Sequence, residues 1–220
     1  MSKLILASNT NFLDITELKS HLDIPIDKAR ILYVITGTKK TFDNSFMHRH
    51  LKRVAERGLN YISYDIEGKS EHELSNKLKD FDIIHIEGGN TFHLLKTIQD
   101  THFDTILKDK IESGLNYIGT SAGSYIMTPS IITATWNERG LDRFSLEDFT
   151  AMNFVPFVMK AHYREDRKES ILDNVRDLKW PLKILTDEQA IAVDGNNFAL
   201  IGTGEEITLE KLEHEQMETS

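Results

Sequence analysis

The chain has 220 residues, of which 40% are hydrophobic and 28% are charged, and it contains no cysteine. This length fits a single domain with a substantial core, and the composition excludes wholesale disorder. The formal net charge of -9 argues against a general nucleic-acid binder, because phosphate binding needs a basic surface. The lack of cysteine excludes disulfides, thiolate metal sites and a cysteine nucleophile, and it is compatible with a cytoplasmic enzyme.

The first residues and the hydropathy pattern argue against a membrane location. A transmembrane helix needs about 20 consecutive apolar residues, and the apolar runs of this chain are only as long as strands. Residues 1–7 lack the hydrophobic region of a signal peptide, so we predict a first strand at residues 3–7 instead. We therefore expect a cytoplasmic protein with no membrane partner.

Short apolar runs alternate with amphipathic segments over the first 120 residues. Strands are predicted at residues 3–7, 31–35, 61–64, 82–86 and 114–119, and helices at residues 12–22, 45–56, 70–79, 92–99 and 105–112. Strands that alternate with helices of about ten residues indicate βαβ units. The pattern therefore predicts an α/β fold with a mainly parallel sheet.

The last third of the chain has a different pattern. Strands are predicted at residues 154–159, 191–193 and 198–201. Residues 194–196, with the sequence DGN, are typical of a hairpin turn, and the acidic segment after Glu210 is expected to fray. We assign residues 1–206 to a single α/β domain and residues 207–220 to a C-terminal tail.

Residues 119–123, with the sequence GTSAG, match the pattern G-x-S-x-G at the end of a predicted strand. A strand that turns sharply into a helix can hold the central serine in a strained conformation, with its hydroxyl raised above the sheet edge. The helix that begins near Ala122 directs its first N–H groups to the same place, where they can stabilise an oxyanion. Ser121 is therefore the predicted nucleophile, and an ordinary tight turn is the alternative.

A second glycine loop, GGNTF at residues 88–92, follows the strand predicted at residues 82–86 and opens a helix. In a parallel sheet such loops gather at one edge, where ligands bind. Its backbone N–H groups could complete an oxyanion hole with those near Ser121. The alternative is a tightly packed loop in which Thr91 caps the helix. The loop lacks the phosphate-binding and dinucleotide-binding glycine patterns, and we predict no metal or organic cofactor.

A serine nucleophile needs a base, which is usually a histidine oriented by an acid. His162 follows the strand predicted at residues 154–159, which would bring it to the same sheet edge as Ser121. Most of the other histidines lie in polar, helix-like stretches and are expected to be exposed, whereas His85 is expected to be a hydrogen-bonded core residue. The candidate acids are Asp187, Glu188 and Glu138, and the pattern does not choose between them.

Taken together, these motifs resemble the peptidase E family. The resemblance rests on residues 88–92, residues 119–123, a histidine after a proline-bearing strand, and the sequence LTDE at residues 185–188. It extends from about residue 3 to residue 206. Members of this family include aspartyl dipeptidases, and cyanophycinases are relatives. The resemblance implies a three-layer αβα sandwich related to class I glutamine amidotransferases, with serine in place of the nucleophilic cysteine.

The resemblance also implies roles for individual residues. Ser121 matches the nucleophile, His162 the general base and Asp187 the third member, with Glu188 as the rival because the family commonly has Glu there. The backbone N–H groups of Gly89 and Ala122 match the oxyanion donors. The residues predicted to contact substrate are Gly88, Asn90, Glu138 and Arg164. Among these, Arg164 resembles the arginine that receives the substrate's aspartyl carboxylate.

The expected function is a serine exopeptidase that hydrolyses small peptides, with N-terminal aspartate as the candidate preference, through an acyl-enzyme on Ser121. A non-catalytic member that binds a small ligand and an esterase-type acyl hydrolase are the alternatives. The expected partner is a small peptide substrate, without nucleic acid or membrane. The oligomeric state is left open between a monomer and a homodimer.

Overall fold

The computed structural model describes residues 3–136 and 143–219. In chain order, the strands of these residues are β1 (Lys3–Ala7), β2 (Arg30–Val34), β3 (Asn60–Tyr64), β4 (Ile83–Ile86), β5 (Asn116–Thr120), β6 (Val158–Lys160), β7 (Leu182–Ile184), β8 (Gln189–Asp194) and β9 (Asn197–Gly202). The α-helices are α1 (Ser45–Glu56), α2 (Glu71–Leu78), α3 (Thr91–Asp100), α4 (Phe103–Glu112), α5 (Ala122–Tyr125), α6 (Lys168–Asn174) and α7 (Leu209–Thr219). Short 3₁₀ helices occupy Thr10–Asp14, Thr16–Ser20, Thr36–Lys40, Ile132–Trp136, Glu165–Arg167 and Val175–Asp177.

The central sheet has seven strands in the order β3-β2-β4-β5-β1-β8-β9. The first five strands of the chain pair in parallel, whereas β8 and β9 add an antiparallel hairpin at one edge. The mainly parallel sheet and the hairpin turn before β9 are thus confirmed. Because β4, β5 and β1 are neighbours, the residues that follow their carboxyl ends meet at one place on the sheet edge. These residues are Ser8, Glu87 and Ser121.

Both faces of the central sheet are covered, as in a three-layer α/β/α fold. Leu4 and Leu6 of β1 belong to the core on the side of α2, α3 and α4, whereas Ile5 and Ala7 face the core formed with α1 and the first 3₁₀ helices. This alternation follows from the two-residue period of a strand. Full burial of each large aliphatic side chain contributes about 1.5–3 kcal/mol, and the inner strands are buried on both faces.

Residues 12–22, predicted as one α-helix, instead form the 3₁₀ helices Thr10–Asp14 and Thr16–Ser20. Phe12, Ile15 and Leu18 are spaced three positions apart. That spacing fits the three residues per turn of a 3₁₀ helix better than the 3.6 of an α-helix. The prediction was wrong because it treated this spacing as α-helical.

Two predictions for the last third of the chain were also wrong. Residues 154–159 were predicted as a strand, but only Val158–Lys160 is one, and it pairs with β7 in a separate two-stranded sheet. Pro156 has no N–H to donate to a ladder, which disfavours a longer strand. The C-terminal segment predicted to fray forms α7, whose Leu212 is buried against a third, smaller core.

Two histidines expected at the surface are buried. His50 and His93 are 0% and 5% exposed. His50 lies on the buried face of α1, between Met47 and Val54, and burial lowers its pKa to about 3. His85 in β4 is buried as expected, but its Nδ1 has no hydrogen-bond partner among the described residues. The expectation of a fully satisfied core histidine was therefore wrong.

In residues 3–136 and 143–219, no helix is both long and apolar enough to cross a lipid bilayer.

Candidate active site

Ser121 lies at a sharp turn between β5 and α5. Its φ of 48° and ψ of -107° fall in a region that residues other than glycine rarely adopt, at a cost of about 1–3 kcal/mol. The Ser121 N–H and the Ser124 hydroxyl both donate to the Ala7 carbonyl, at 3.0 and 2.8 Å, which holds the turn in place. A Cβ added to Gly123 would lie 2.0 Å from the Ile86 carbonyl oxygen, so this position requires glycine.

His162 reaches Ser121 from a segment outside the central sheet. Among the described residues, the strand that precedes it, β6, pairs with β7 and not with a strand of the central sheet. Backbone hydrogen bonds anchor the segment instead. The Ala161 N–H donates to the Tyr125 hydroxyl at 2.9 Å, and the His162 N–H donates to the Ser8 hydroxyl at 2.8 Å. His162 itself has a left-handed backbone, with φ of 59°.

The His162 imidazole connects Ser121 to Asp187. Its Nε2 lies 2.9 Å from Ser121 Oγ, and its Nδ1 lies 2.6 Å from Asp187 Oδ1. An ionised carboxylate only accepts hydrogen bonds, so the matching tautomer has Nδ1–H donating to Asp187 and Nε2 accepting from the serine hydroxyl. An imidazole held in this way can take the proton of a serine.

Ser8 is a site residue that the sequence analysis missed. Its hydroxyl donates to Asp187 Oδ1 at 3.1 Å and accepts from the His162 N–H, so it fixes both partners. Ser8 is completely buried. It directly follows β1, and the rule that located Ser121 at the carboxyl end of a strand could have identified Ser8 as well.

The structure brings Asp187, rather than Glu188, to His162. Glu188 is exposed and accepts from the Asn11 side chain at 3.0 Å. Burial alone would raise the pKa of Asp187, but the hydrogen bonds from His162 and Ser8 outweigh burial and hold the pKa below its ordinary value of 3.8. Asp187 is therefore ionised at neutral pH, as an acceptor for Nδ1–H must be.

Asp187→Asn is expected to lower kcat for a peptide substrate by about 10⁴-fold, because an amide no longer enforces the reactive imidazole tautomer. Glu188→Gln is the matched control, since it makes the same chemical change at the next residue. It should leave kcat within about twofold of wild type, because surface substitutions of this kind have small effects. Steady-state kinetics of both variants measures the two values of kcat. A larger loss of kcat in Glu188→Gln than in Asp187→Asn would contradict the assignment of Asp187 as the partner of His162.

The same contact is expected to make stability depend on pH. A carboxyl whose pKa is lower in the folded than in the unfolded chain stabilises the fold above the unfolded pKa, and this contribution is lost as pH falls through the folded pKa. The difference in unfolding free energy between wild type and Asp187→Asn should therefore be constant above about pH 5 and shrink at lower pH. Urea unfolding over a pH series measures it. A difference that stays constant down to the acid transition would contradict the lowered pKa.

The loop after β4 brings backbone N–H groups next to Ser121. The Gly88 N–H donates to Glu87 Oε1 at 2.7 Å. The Gly89 N–H, in contrast, has no acceptor among the described residues. A Cβ added to Gly88 would lie 3.1 Å from Ser121 Cβ, so loop and turn are in direct contact. Gly89 has φ of +133°, and an added Cβ would lie 2.3 Å from the Gly37 carbonyl oxygen. Only glycine fits this position.

Ala122 supplies the second N–H group near the serine. It is the first residue of α5, and the first N–H groups of a helix have no acceptor within it. Since α5 has only 4 residues, it has little helix dipole. Stabilisation of an oxyanion at this end would therefore depend on the N–H hydrogen bond itself.

Glu87 is a buried carboxyl beneath the loop, and the sequence analysis did not single it out. It is 2% exposed and accepts hydrogen bonds from the Tyr33 and Thr120 hydroxyls as well as from the Gly88 N–H. Burial raises its pKa, and these hydrogen bonds only partly oppose that effect. Glu87 thereby ties the glycine loop to the residue that precedes Ser121.

Asn90 and Glu138 are two further residues that the sequence predicts to contact substrate. Asn90 is 1% exposed, and its side chain accepts from the N–H groups of Phe92 and His93, both at 3.0 Å. Asn90 rather than Thr91 is thus the N-cap of α3, and its contact with substrate stays a prediction. Glu138 lies outside the described residues.

Ser121, His162, Asp187 and both loop glycines open onto one cleft of about 1070 Å³. The charged residues of its wall include Arg49, Arg53, Arg164, Arg167, Asp43 and Asp166. Arg164 donates to both carboxylate oxygens of Asp166, with Nε–Oδ1 at 3.0 Å and Nη2–Oδ2 at 2.6 Å. The predicted substrate arginine therefore lines the cleft and already holds a carboxylate.

Comparison with known proteins agrees with this fold. The model of peptidase family S51 matches residues 4–201. An uncharacterized peptidase of Pasteurella multocida (strain Pm70) is 28% identical over 206 residues, which cover 92% of this chain and 98% of that protein. Peptidase E of Shewanella sp. (strain ANA-3) is 31% identical over 156 residues, which cover 66% of this chain and 64% of that protein.

A crystal structure from Listeria monocytogenes EGD-e, which carries peptidase E as a provisional name, has the same fold. Its TM-score is 0.79 at 23% identity, with 93% of this chain and all of that chain covered. A peptidase from an acI-B1 actinobacterium is more distant, with a TM-score of 0.60 at 16% identity and coverage of 94% and 97%. At these identities the likeness shows the three-layer architecture alone.

A serine at a strained strand-to-helix turn of an α/β sheet is the arrangement found in serine hydrolases. The fold and the turn at Ser121 together thus place the protein in the class of serine hydrolases. The match over residues 4–201 shows that the chain belongs to peptidase family S51, and it is accordingly a serine peptidase. The resemblance to peptidase E is confirmed.

Proposed function

We propose that the chain is an exopeptidase that hydrolyses small peptides, including dipeptides with an N-terminal aspartate, through an acyl-enzyme on Ser121. One observation carries this proposal: the continuous hydrogen-bond chain from Ser121 Oγ through His162 to Asp187 at the wall of the cleft. The chain of contacts supplies the nucleophile, the base and the group that orients the base.

In the proposed reaction, His162 Nε2 takes the proton of Ser121 as its oxygen attacks the scissile carbonyl carbon. The resulting oxyanion accepts hydrogen bonds from the N–H groups of Gly89 and Ala122, each worth about 3 kcal/mol of barrier in sites of this kind. His162 then donates its proton to the departing amine. Water, activated by the same imidazole, hydrolyses the acyl-enzyme and restores Ser121. Asp187 stabilises the imidazolium in both halves of the reaction.

The size of the cleft supports a small substrate. Its volume of about 1070 Å³ lies just above the range for small-molecule sites, about 300–1,000 Å³. Phe42 and Asp43 belong to its lining, so the loop before α1 forms part of the wall. A cleft of this kind holds a short peptide more readily than a folded protein.

The contact between Arg164 and Asp166 supports recognition of an acidic side chain. A guanidinium presents paired N–H groups that match a carboxylate, and Asp166 occupies that geometry. Both side chains are more than 60% exposed, at 66% and 61%, so the pair is weakly held. A substrate aspartate can therefore replace Asp166 at little cost and bind Arg164 in the same way.

Arg164→Ala is expected to raise KM about tenfold for a dipeptide with N-terminal aspartate, and far less for the corresponding asparagine or alanine dipeptide, because a paired carboxylate hydrogen bond is lost. Steady-state kinetics with the three substrates measures the difference. Arg176→Ala is the matched control, since it removes an exposed arginine outside the cleft. An equal rise in KM for all three substrates would show that Arg164 does not determine the preference for N-terminal aspartate.

Profiling of a dipeptide library with wild type and Ser121→Ala tests the proposed function. Turnover by wild type that is lost in Ser121→Ala supports the serine exopeptidase. Hydrolysis of simple esters without any peptide turnover would instead favour the esterase, and equal dipeptide binding by both forms without turnover would favour a binding protein. The cytoplasmic location, the homodimer and the assignment of residues 1–206 to a single domain stay predictions.

A further inference from the structure

A second cluster of titratable side chains lies in the core, directly below the glycine loop. It consists of His50 from α1, His85 from β4, and Glu87, which are 0%, 0% and 2% exposed. One nitrogen of each imidazole and one carboxylate oxygen of Glu87 lie within 4.8 Å of one another. The serine chemistry proposed above uses neither imidazole.

Several polar atoms of this cluster lack hydrogen-bond partners, although Glu87 accepts three hydrogen bonds and His85 Nε2 lies 3.3 Å from the Thr120 hydroxyl oxygen. Among the described residues, neither nitrogen of His50 has a partner, and neither does Nδ1 of His85. The Tyr61 hydroxyl, whose ring packs edge-on against both imidazoles, is likewise unpartnered. Leaving buried polar groups unpaired is costly, and native proteins rarely do so. Three unpartnered imidazole nitrogens and one unpartnered hydroxyl in this cluster indicate a ligand that would bind here.

We propose that His50, His85 and Glu87 bind a divalent first-row transition metal of the Zn²⁺ type. Two imidazole nitrogens and one carboxylate oxygen are an established ligand set for zinc, and imidazole favours such ions over Mg²⁺ or Ca²⁺. With metal–nitrogen distances of about 2.0–2.1 Å, tetrahedral ligand atoms lie roughly 3.4 Å apart. The three side chains therefore need to move inwards by no more than about 1 Å at their widest separation.

The position of Glu87 places the proposed metal site next to the cleft and suggests what the ion does there. Glu87 is among the residues that line the cleft, so the core cluster lies directly beside that cleft. It also accepts from the Gly88 N–H and the Thr120 hydroxyl, on either side of the site. A metal bound to Glu87 would fix the loop that carries Gly89 against the turn that carries Ser121. The ion is thus a structural support, in contrast to the sequence analysis, which predicted no metal.

Metal binding to the full chain tests the proposal without reference to activity. The purified protein is stripped with a chelator and titrated with Co²⁺, while visible absorption is followed, and separately with Zn²⁺, while Tm is followed. Stoichiometric Co²⁺ absorption typical of a four-coordinate site and a rise in Tm with Zn²⁺ are expected. Absence of both responses in wild type would overturn the proposal and leave the serine mechanism unaffected.

Variants locate the ion. His50→Phe fits among the rings of Phe12 and Tyr33 that already surround His50, so the variant should fold while its affinity for Zn²⁺ falls more than about 100-fold. His48→Phe, on the exposed side of α1, is the matched control and should bind as wild type does. Glu87→Gln keeps the shape of the side chain and should also lose the metal. This second variant tests the same site if His50→Phe does not fold. Wild-type affinity in His50→Phe or Glu87→Gln would overturn the site.

Discussion

Ser121→Ala is expected to lower kcat/KM for the best peptide substrate by about 10⁶-fold. The substitution removes the oxygen that forms the acyl-enzyme, while the N–H groups of Gly89 and Ala122 still bind the carbonyl. Residual turnover should therefore remain above the rate in water. Alanine adopts the strained backbone of position 121 about as well as serine does, so Tm should change little.

The measurement needs a control for misfolding and for contaminating peptidases. Ser63→Ala removes an exposed serine on β3 that does not line the cleft, and it should behave as wild type. Kinetics of independently purified batches, together with thermal unfolding, separates loss of chemistry from loss of fold. Activity of Ser121→Ala within tenfold of wild type, at unchanged Tm, would remove Ser121 from the mechanism.

His162→Ala is expected to cause a loss of similar size, about 10⁶-fold in kcat/KM. Without the imidazole, no group takes the proton of Ser121, and the nucleophile is inactive even though its oxygen is present. Because both residues act as one unit, the double variant Ser121→Ala/His162→Ala should be no slower than either single variant.

The double variant distinguishes a catalytic pair from two separate structural defects. His72→Ala is the matched control, since it removes an exposed histidine on α2. It should retain wild-type kinetics. If the losses of the two single variants multiplied in the double variant, Ser121 and His162 would not act in the same step.

The sequence predicted the features that depend on local pattern. Residues 114–123 contain a strand, a serine between two glycines and the start of a helix. One continuous segment therefore carries all the signals that predict the turn at Ser121. The order of strands and helices likewise predicted the parallel sheet. These predictions need only the neighbouring residues, because the two-residue period of strands and the need for glycine at close contacts are local properties.

The sequence could not predict the features that depend on contacts between distant parts of the chain. The position of Ser8 after β1 is a local feature, but its hydrogen bonds to His162 and Asp187 join residues more than 150 positions apart, and no local pattern predicts them. The choice between Asp187 and Glu188 depends on the orientation of one turn relative to a separate segment. His50 was expected at the surface because its neighbours are polar, whereas its place between Met47 and Val54 puts it in the core.

Labelling with a fluorophosphonate probe, followed by peptide mapping, tests the central claim most directly. Such a probe reacts with a serine only where a base removes its proton and an oxyanion hole receives the developing charge. The account requires a single adduct on Ser121, formed far more slowly in His162→Ala and absent in Ser121→Ala. Peptide turnover by wild type with an adduct on another residue, or labelling of Ser121 at an unchanged rate in His162→Ala, would contradict it.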